Sequence, residues 1–134
     1  MPATSKVRFI LTLAGTAIYW LLLFVGTHAP GNVINSGGHT DKVYHFSAFF
    51  GLSILLCGGM ASLRRPGLAM YGAIVGLVAA YGVFDELTQM LVPNRTADLL
   101  DWLADISGAI LGVLTFSLLQ RLFCPCKETQ GETG

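Results

Sequence analysis

The chain has 134 residues, 53% of them hydrophobic and only 12% charged, with a formal net charge of zero. That length gives room for one small domain, and so few charges cannot coat a soluble surface. The composition therefore argues against a soluble domain or a basic nucleic-acid binder and indicates an integral membrane protein.

Four long apolar stretches follow one another, at about residues 9–27, 43–63, 68–92 and 99–123. Each is near the ~20 residues that cross a ~30 Å hydrocarbon layer as a helix, and none shows the polar alternation of a barrel strand. Backbone groups in lipid must bond within their own segment, so the expected fold is all-α, a four-helix transmembrane bundle. Residues 1–123 make a single membrane domain, and 124–134 a cytoplasmic tail.

The first stretch follows Lys6 and Arg8 and ends in "THA", as a signal peptide would. Its long apolar run, with Tyr19 and Trp20, fits a retained anchor better. Basic residues then recur at Arg64 and Arg65, between spans 2 and 3, and at Arg121 and Lys127, after span 4. By the positive-inside rule both termini are cytoplasmic, N-in and C-in. On the opposite side six acids, Asp41, Asp85, Glu86, Asp98, Asp101 and Asp105, face only Lys42 and Arg95, a net of about four negative charges that disfavours a polyanionic partner.

Span 2 opens with "DKVYHF". Asp41 suits a helix N-terminus, whereas Lys42 must snorkel or pair with a carboxylate, and His45 lies one turn deeper. Ser47 is about 160° from His45 around the helix, which excludes a local Ser-His pair. Cys57, mid-span, reads as a small packing residue.

Span 3 carries a small-residue stripe of Gly72, Gly76 and Ala79, which Glu86 continues within about 40° while Gln89 lies a further ~60° round. Glu86 is thus expected to point into the bundle. Asp85, about 100° away from it, is expected nearer the interface. In the short connection "VPNRTAD", Asn94 and Thr96 are turn and cap candidates. Arg95 is expected to fork onto the Asp98 and Asp101 carboxylates.

Along span 4, Asp98, Asp101, Asp105, Gly108 and Gly112 fall within an arc of about 80°, with the glycines inviting close helix approach. Five of the eight acidic residues thus lie between residues 82 and 108, where charge is costly, and intramembrane ionisable groups usually mark function. Beyond the span, Cys124 and Cys126 form C-P-C at a juxtamembrane site, open to acylation or present as plain reduced thiols.

"DKVYHFSAFFGLSILL" followed by "YGVFDELTQMLVPNRTADLLDWLADISGAILG" resembles the VanZ-like family, in which D-K-x-x-H opens one span and D/E-E-x-x-Q, P-x-R and D-x-x-D/N straddle the next two. These motifs cover about half the chain in the right order and spacing. Asp105 departs from the family, which often carries Asn there. The resemblance implies a small bacterial protein of the inner (cytoplasmic) membrane, associated through the founding member with reduced susceptibility to teicoplanin-type glycopeptides.

Two functions fit these residues. One is an envelope protein whose outward polar pocket binds a membrane lipid or lipid-linked precursor headgroup. The other is an intramembrane enzyme in which His45 and Glu86 perform acid-base chemistry and Asp101 orients His45. Lys42, Gln89, Arg95, Asp98 and Asp105 are the candidates for holding the substrate. His45, Glu86 and Asp101 also make a nitrogen and carboxylate set for a divalent metal, although no compact metal-binding spacing is present. Ion translocation fits poorly, because the inner halves of the spans hold no relay of ionisable groups.

Overall fold

The computed structural model describes residues 3–29 and 38–123. They form four helices in sequence: α1 (Ala3–Thr27), α2 (Gly38–Leu63), α3 (Leu68–Gln89) and α4 (Leu99–Phe123). The described residues contain no strand, and all four helices are long and apolar enough to cross a membrane. The chain is a multi-pass membrane protein. Cys124, Cys126 and the expected tail lie outside the described residues.

Hydropathy located the helices but not all their ends. α2 begins at Gly38 rather than 43, because Asp41 and Lys42 form a helical turn that an apolar run cannot reveal. α3 ends at Gln89 rather than 92, as the chain turns with Leu91 N–H donating to the Thr88 carbonyl and Val92 N–H to that of Gln89. Asn94 then takes a left-handed conformation (φ 63°), which Asn tolerates better than most residues. The cap of α4 is Asp98, not Thr96: its Oδ1 accepts the Leu100 N–H at 2.8 Å.

α2 is the axis of the bundle and packs most extensively on α4, then on α1. Gly108 and Gly112 make the first contact possible: a Cβ on Gly108 would strike the Phe46 carbonyl oxygen, and one on Gly112 the Ser53 hydroxyl and the Phe50 carbonyl. α1 approaches at Gly51, beside which the Tyr19 hydroxyl donates to the Ala48 carbonyl at 2.9 Å. Phe49, Leu52, Cys57, Val78 and Ala109 fill the core, while Leu11, Leu22, Leu77, Leu87 and Leu114 are exposed. An apolar exterior around an equally apolar core is stable only in lipid.

Two of the three positions of the predicted stripe on α3, Gly72 and Gly76, do not pack. Both are exposed, with nothing within 4 Å of an added Cβ. α3 meets α4 instead through Gly82, where a Cβ would lie 2.9 Å from Asp105 Oδ2, and through Ala79, whose carbonyl accepts the Trp102 indole N–H at 3.0 Å. A polar indole that needs a partner in an apolar layer sets the rotation of α3, and glycine spacing alone does not.

Candidate functional site

The four helices bring all the acidic side chains of the described residues to one end of the bundle: the C-termini of α1 and α3 and the N-termini of α2 and α4. Asp41, Lys42 and His45 come from the first turns of α2, Asp85, Glu86 and Gln89 from the last turns of α3, and Asp98, Asp101 and Asp105 from the cap and first turns of α4. Below them Tyr81 packs edge-on against Trp20, with ring centroids 4.9 Å apart, and stacks on Phe49 at 5.7 Å. This aromatic floor separates the polar end from the apolar body of the bundle.

The basic residues partner differently from expectation. Lys42, not Arg95, bridges the α4 acids, with Nζ 2.8 Å from Asp98 Oδ2 and 2.9 Å from Asp101 Oδ1. The Lys42 ammonium, helped by the Leu100 N–H, holds the Asp98 carboxyl below the ordinary carboxylate range. Arg95 reaches across to Asp41 at 3.1 Å and to Gln89 Oε1 at 3.4 Å, and its Nε donates to the Ala29 carbonyl. The left-handed turn at Asn94 precedes Arg95, and the α2 N-terminus brings Asp41 to meet it.

Deeper in the bundle lies a second cluster. His45, 1% exposed, has Nδ1 2.9 Å from Asp105 Oδ1 and 4.0 Å from Glu86 Oε1. Asp105, not the expected Asp101, makes the contact with His45, because it lies one turn deeper, at the level of the ring, while Lys42 engages Asp101. Glu86 Oε2 accepts the Asp98 N–H at 2.7 Å, tying α3 to the cap of α4. Three atoms of this cluster are buried with no hydrogen-bond partner among the described residues: His45 Nε2, Glu86 Oε1 and Asp105 Oδ2.

Asp85 is fully buried within the bundle. It faces partners distinct from those of Glu86. Gln89 Nε2 donates to it at 2.7 Å and the Thr27 hydroxyl at 2.9 Å, while the Tyr81 hydroxyl lies at 3.4 Å. α1 therefore belongs to the polar end, through Thr27 and through His28, whose Nε2 lies 2.9 Å from the Thr88 hydroxyl. The sequence signals available were the i, i+4 pair Asp85/Gln89 and the two polar residues closing span 1.

Among the described residues, two clefts reach this end. One, of about 350 Å³, runs between α1 and α2 from Leu22, Leu23 and Ala48 to Asp41, His45 and Arg95. The other, of about 340 Å³, lies between α3 and α4 and includes Glu86, Asp98 and Trp102. The arrangement can do three things chemically: accept or donate a proton at His45 or Glu86, hold a cation among carboxylates, and receive a molecule that is apolar at one end and polar at the other.

A sequence model of the family described as VanZ/LLP1 matches residues 6–120, which include every one of these side chains. The chain belongs to the VanZ/LLP1 family. Among curated proteins it is similar to an uncharacterized protein of Mycobacterium bovis and to others of Mycobacterium tuberculosis, at 33% identity over 119 residues, covering 83% of this chain and 48% of each relative. It thus spans about half the length of the curated relatives it matches. No solved structure matches. The VanZ-like motifs quoted above supply, in this fold, the two basic residues and every carboxylate of the polar end except that of Asp105.

Proposed function

We propose that this VanZ/LLP1 protein lies in the bacterial inner (cytoplasmic) membrane with both termini inside, and that its polar end faces outward and binds the headgroup of an envelope lipid or lipid-linked precursor. The observation that carries this reading is the α1–α2 cleft, apolar along Leu22, Leu23 and Ala48 and polar at Asp41, His45 and Arg95. Its lining matches an amphiphile entering tail-first from lipid, with the headgroup against a guanidinium and an imidazole. Occupancy would alter access of teicoplanin-type glycopeptides to surface precursors.

Mass spectrometry of lipid that co-purifies with the protein in mild detergent tests the reading. A phosphoryl-lipid enriched over its share of the membrane is expected, and a bulk lipid profile would count against binding. A deletion strain should then show altered teicoplanin susceptibility.

A second reading has its own observation. The buried His45–Asp105 contact at 2.9 Å, with Glu86 Oε1 4.0 Å from the same nitrogen, is an arrangement suited to general acid-base chemistry on the bound lipid. Conversion of the co-purified lipid on incubation would favour the enzyme, and its unchanged recovery the binding protein.

A further inference from the structure

We infer that His45, Glu86 and Asp105 form a binding site for one divalent transition-metal ion of the zinc or manganese class. One ligand atom from each of these three side chains lies within 4.8 Å of the others, and all three residues are buried. From His45 Nδ1 the carboxylate oxygens stand at 2.9 Å for Asp105 and 4.0 Å for Glu86. Bonds of ~2.0 to 2.2 Å place neighbouring ligands about 3 to 3.5 Å apart, so small rotations of these side chains close the set around an ion.

Charge and partnering independently point to a cation. Lys42 is engaged by Asp98 and Asp101, and Arg95 by Asp41, so neither neutralises the deeper carboxylates. With both carboxyls ionised, even a protonated His45 leaves one net negative charge in an apolar setting, which is strongly unfavourable unless a proton or a cation balances it. Glu86 Oε1 and Asp105 Oδ2 are buried without a hydrogen-bond partner among the described residues, although Glu86 Oε2 and Asp105 Oδ1 are both engaged. An ion takes the place of the proton on His45 Nδ1, gives Glu86 Oε1 a partner and balances the charge.

The donor set selects the class of metal. One imidazole nitrogen with two carboxylates suits zinc or manganese, whereas calcium and magnesium favour all-oxygen sets and copper(I) favours thiolate. Three protein ligands leave coordination positions open to water or a ligand. The site stands whether or not the α1–α2 cleft holds a lipid. A neighbouring set, Asp41, His45 and Asp101, shares the histidine, but its carboxylates already face Arg95 and Lys42.

Equilibrium dialysis of detergent-purified protein, carrying no polyhistidine tag, against zinc and separately manganese, followed by elemental analysis, tests the site. About one ion per folded chain is expected, with affinity at least ~10-fold weaker in Glu86→Gln and Asp105→Asn and retained in Asp41→Asn. The wild type alone gives a second readout. Added ion should raise its melting temperature, a chelator should reverse that, and the manganese-loaded protein should show magnetic coupling to a single imidazole nitrogen. Failure of both metals to bind folded wild type would overturn the inference, as would ion binding without imidazole coupling. So would binding unchanged in both folded carboxylate variants, or lost with Asp41→Asn and kept with Glu86→Gln, which would place the ion at the neighbouring set.

Discussion

His45 and Asp105, sixty residues apart in sequence, meet side chain to side chain at 2.9 Å, with both almost completely excluded from solvent. The contact ties α2 to α4 at the level where Gly82 lets α3 approach Asp105. Removing one partner leaves the other polar and buried, which costs about 1 to 3 kcal/mol or more. His45→Ala and Asp105→Ala should each lower the melting temperature in detergent, and the double variant should lose less than their sum. Additive losses in a double-mutant cycle would mean that the contact carries no coupling energy.

Close approach of α2 and α4 makes a second, separable prediction. Gly108→Ala and Gly112→Ala force a methyl group into the α2 backbone or the Ser53 hydroxyl and should cost about 1 to 3 kcal/mol each. Gly72→Ala and Gly76→Ala, at exposed positions with open space, should be neutral or slightly stabilising through helix propensity. Thermal melts of the four variants decide this, and equal effects in both pairs would contradict the packing described.

The positions of those glycines also mark what could be read from sequence. Four spans and the inward face of α4 follow from apolar run length and helical periodicity, because lipid leaves the chain so few alternatives. The rotation of α3 was not legible, since an exposed Gly72/Gly76 stripe and a buried one have the same spacing; the Trp102 indole bonding to Ala79 decided between them. Nor was the pairing of charges. Arg95 lies nearer in sequence to Asp98 and Asp101 than Lys42 does, yet the helix register gives those acids to Lys42 and sends Arg95 to Asp41. Sequence distance sets reach, and the packed fold sets which partner lies within it.

Lys42 and its two acids should respond unequally. Asp98 is partly exposed while Asp101 is buried, so Asp101→Asn should destabilise more than Asp98→Asn, which keeps an N-cap side chain. Because the folded-state pKa of Asp98 is lowered, its contribution is present above the ordinary carboxylate value of ~3.9 and fades as pH falls through the lower folded value. The melting-temperature gap between wild type and Asp98→Asn should therefore persist down to about pH 4 and close only in stronger acid. A gap that closes well above that range would contradict the pairing with Lys42.

Asp85 should be structurally exacting despite lying outside the His45, Glu86 and Asp105 cluster. Gln89, Thr27 and Tyr81 all present donors to its carboxylate, so Asp85→Asn replaces an acceptor by a donor on one side and should cost stability. Thr27→Val should reproduce part of the loss, since it removes one of those donors and loosens α1. A melt of Asp85→Asn equal to wild type would show that the α1 end does not depend on this carboxylate.

The most direct test of the central reading, that the polar end receives a lipid headgroup, is photolabelling with a phosphoryl-lipid analogue whose reactive group sits just below its headgroup. Labelled peptides should map to Leu22–Thr27 of α1 and Tyr44–Ala48 of α2, and the labelling should fall sharply in Arg95→Ala. Label spread evenly over the exposed leucines of all four helices, or unchanged in folded Arg95→Ala, would contradict it.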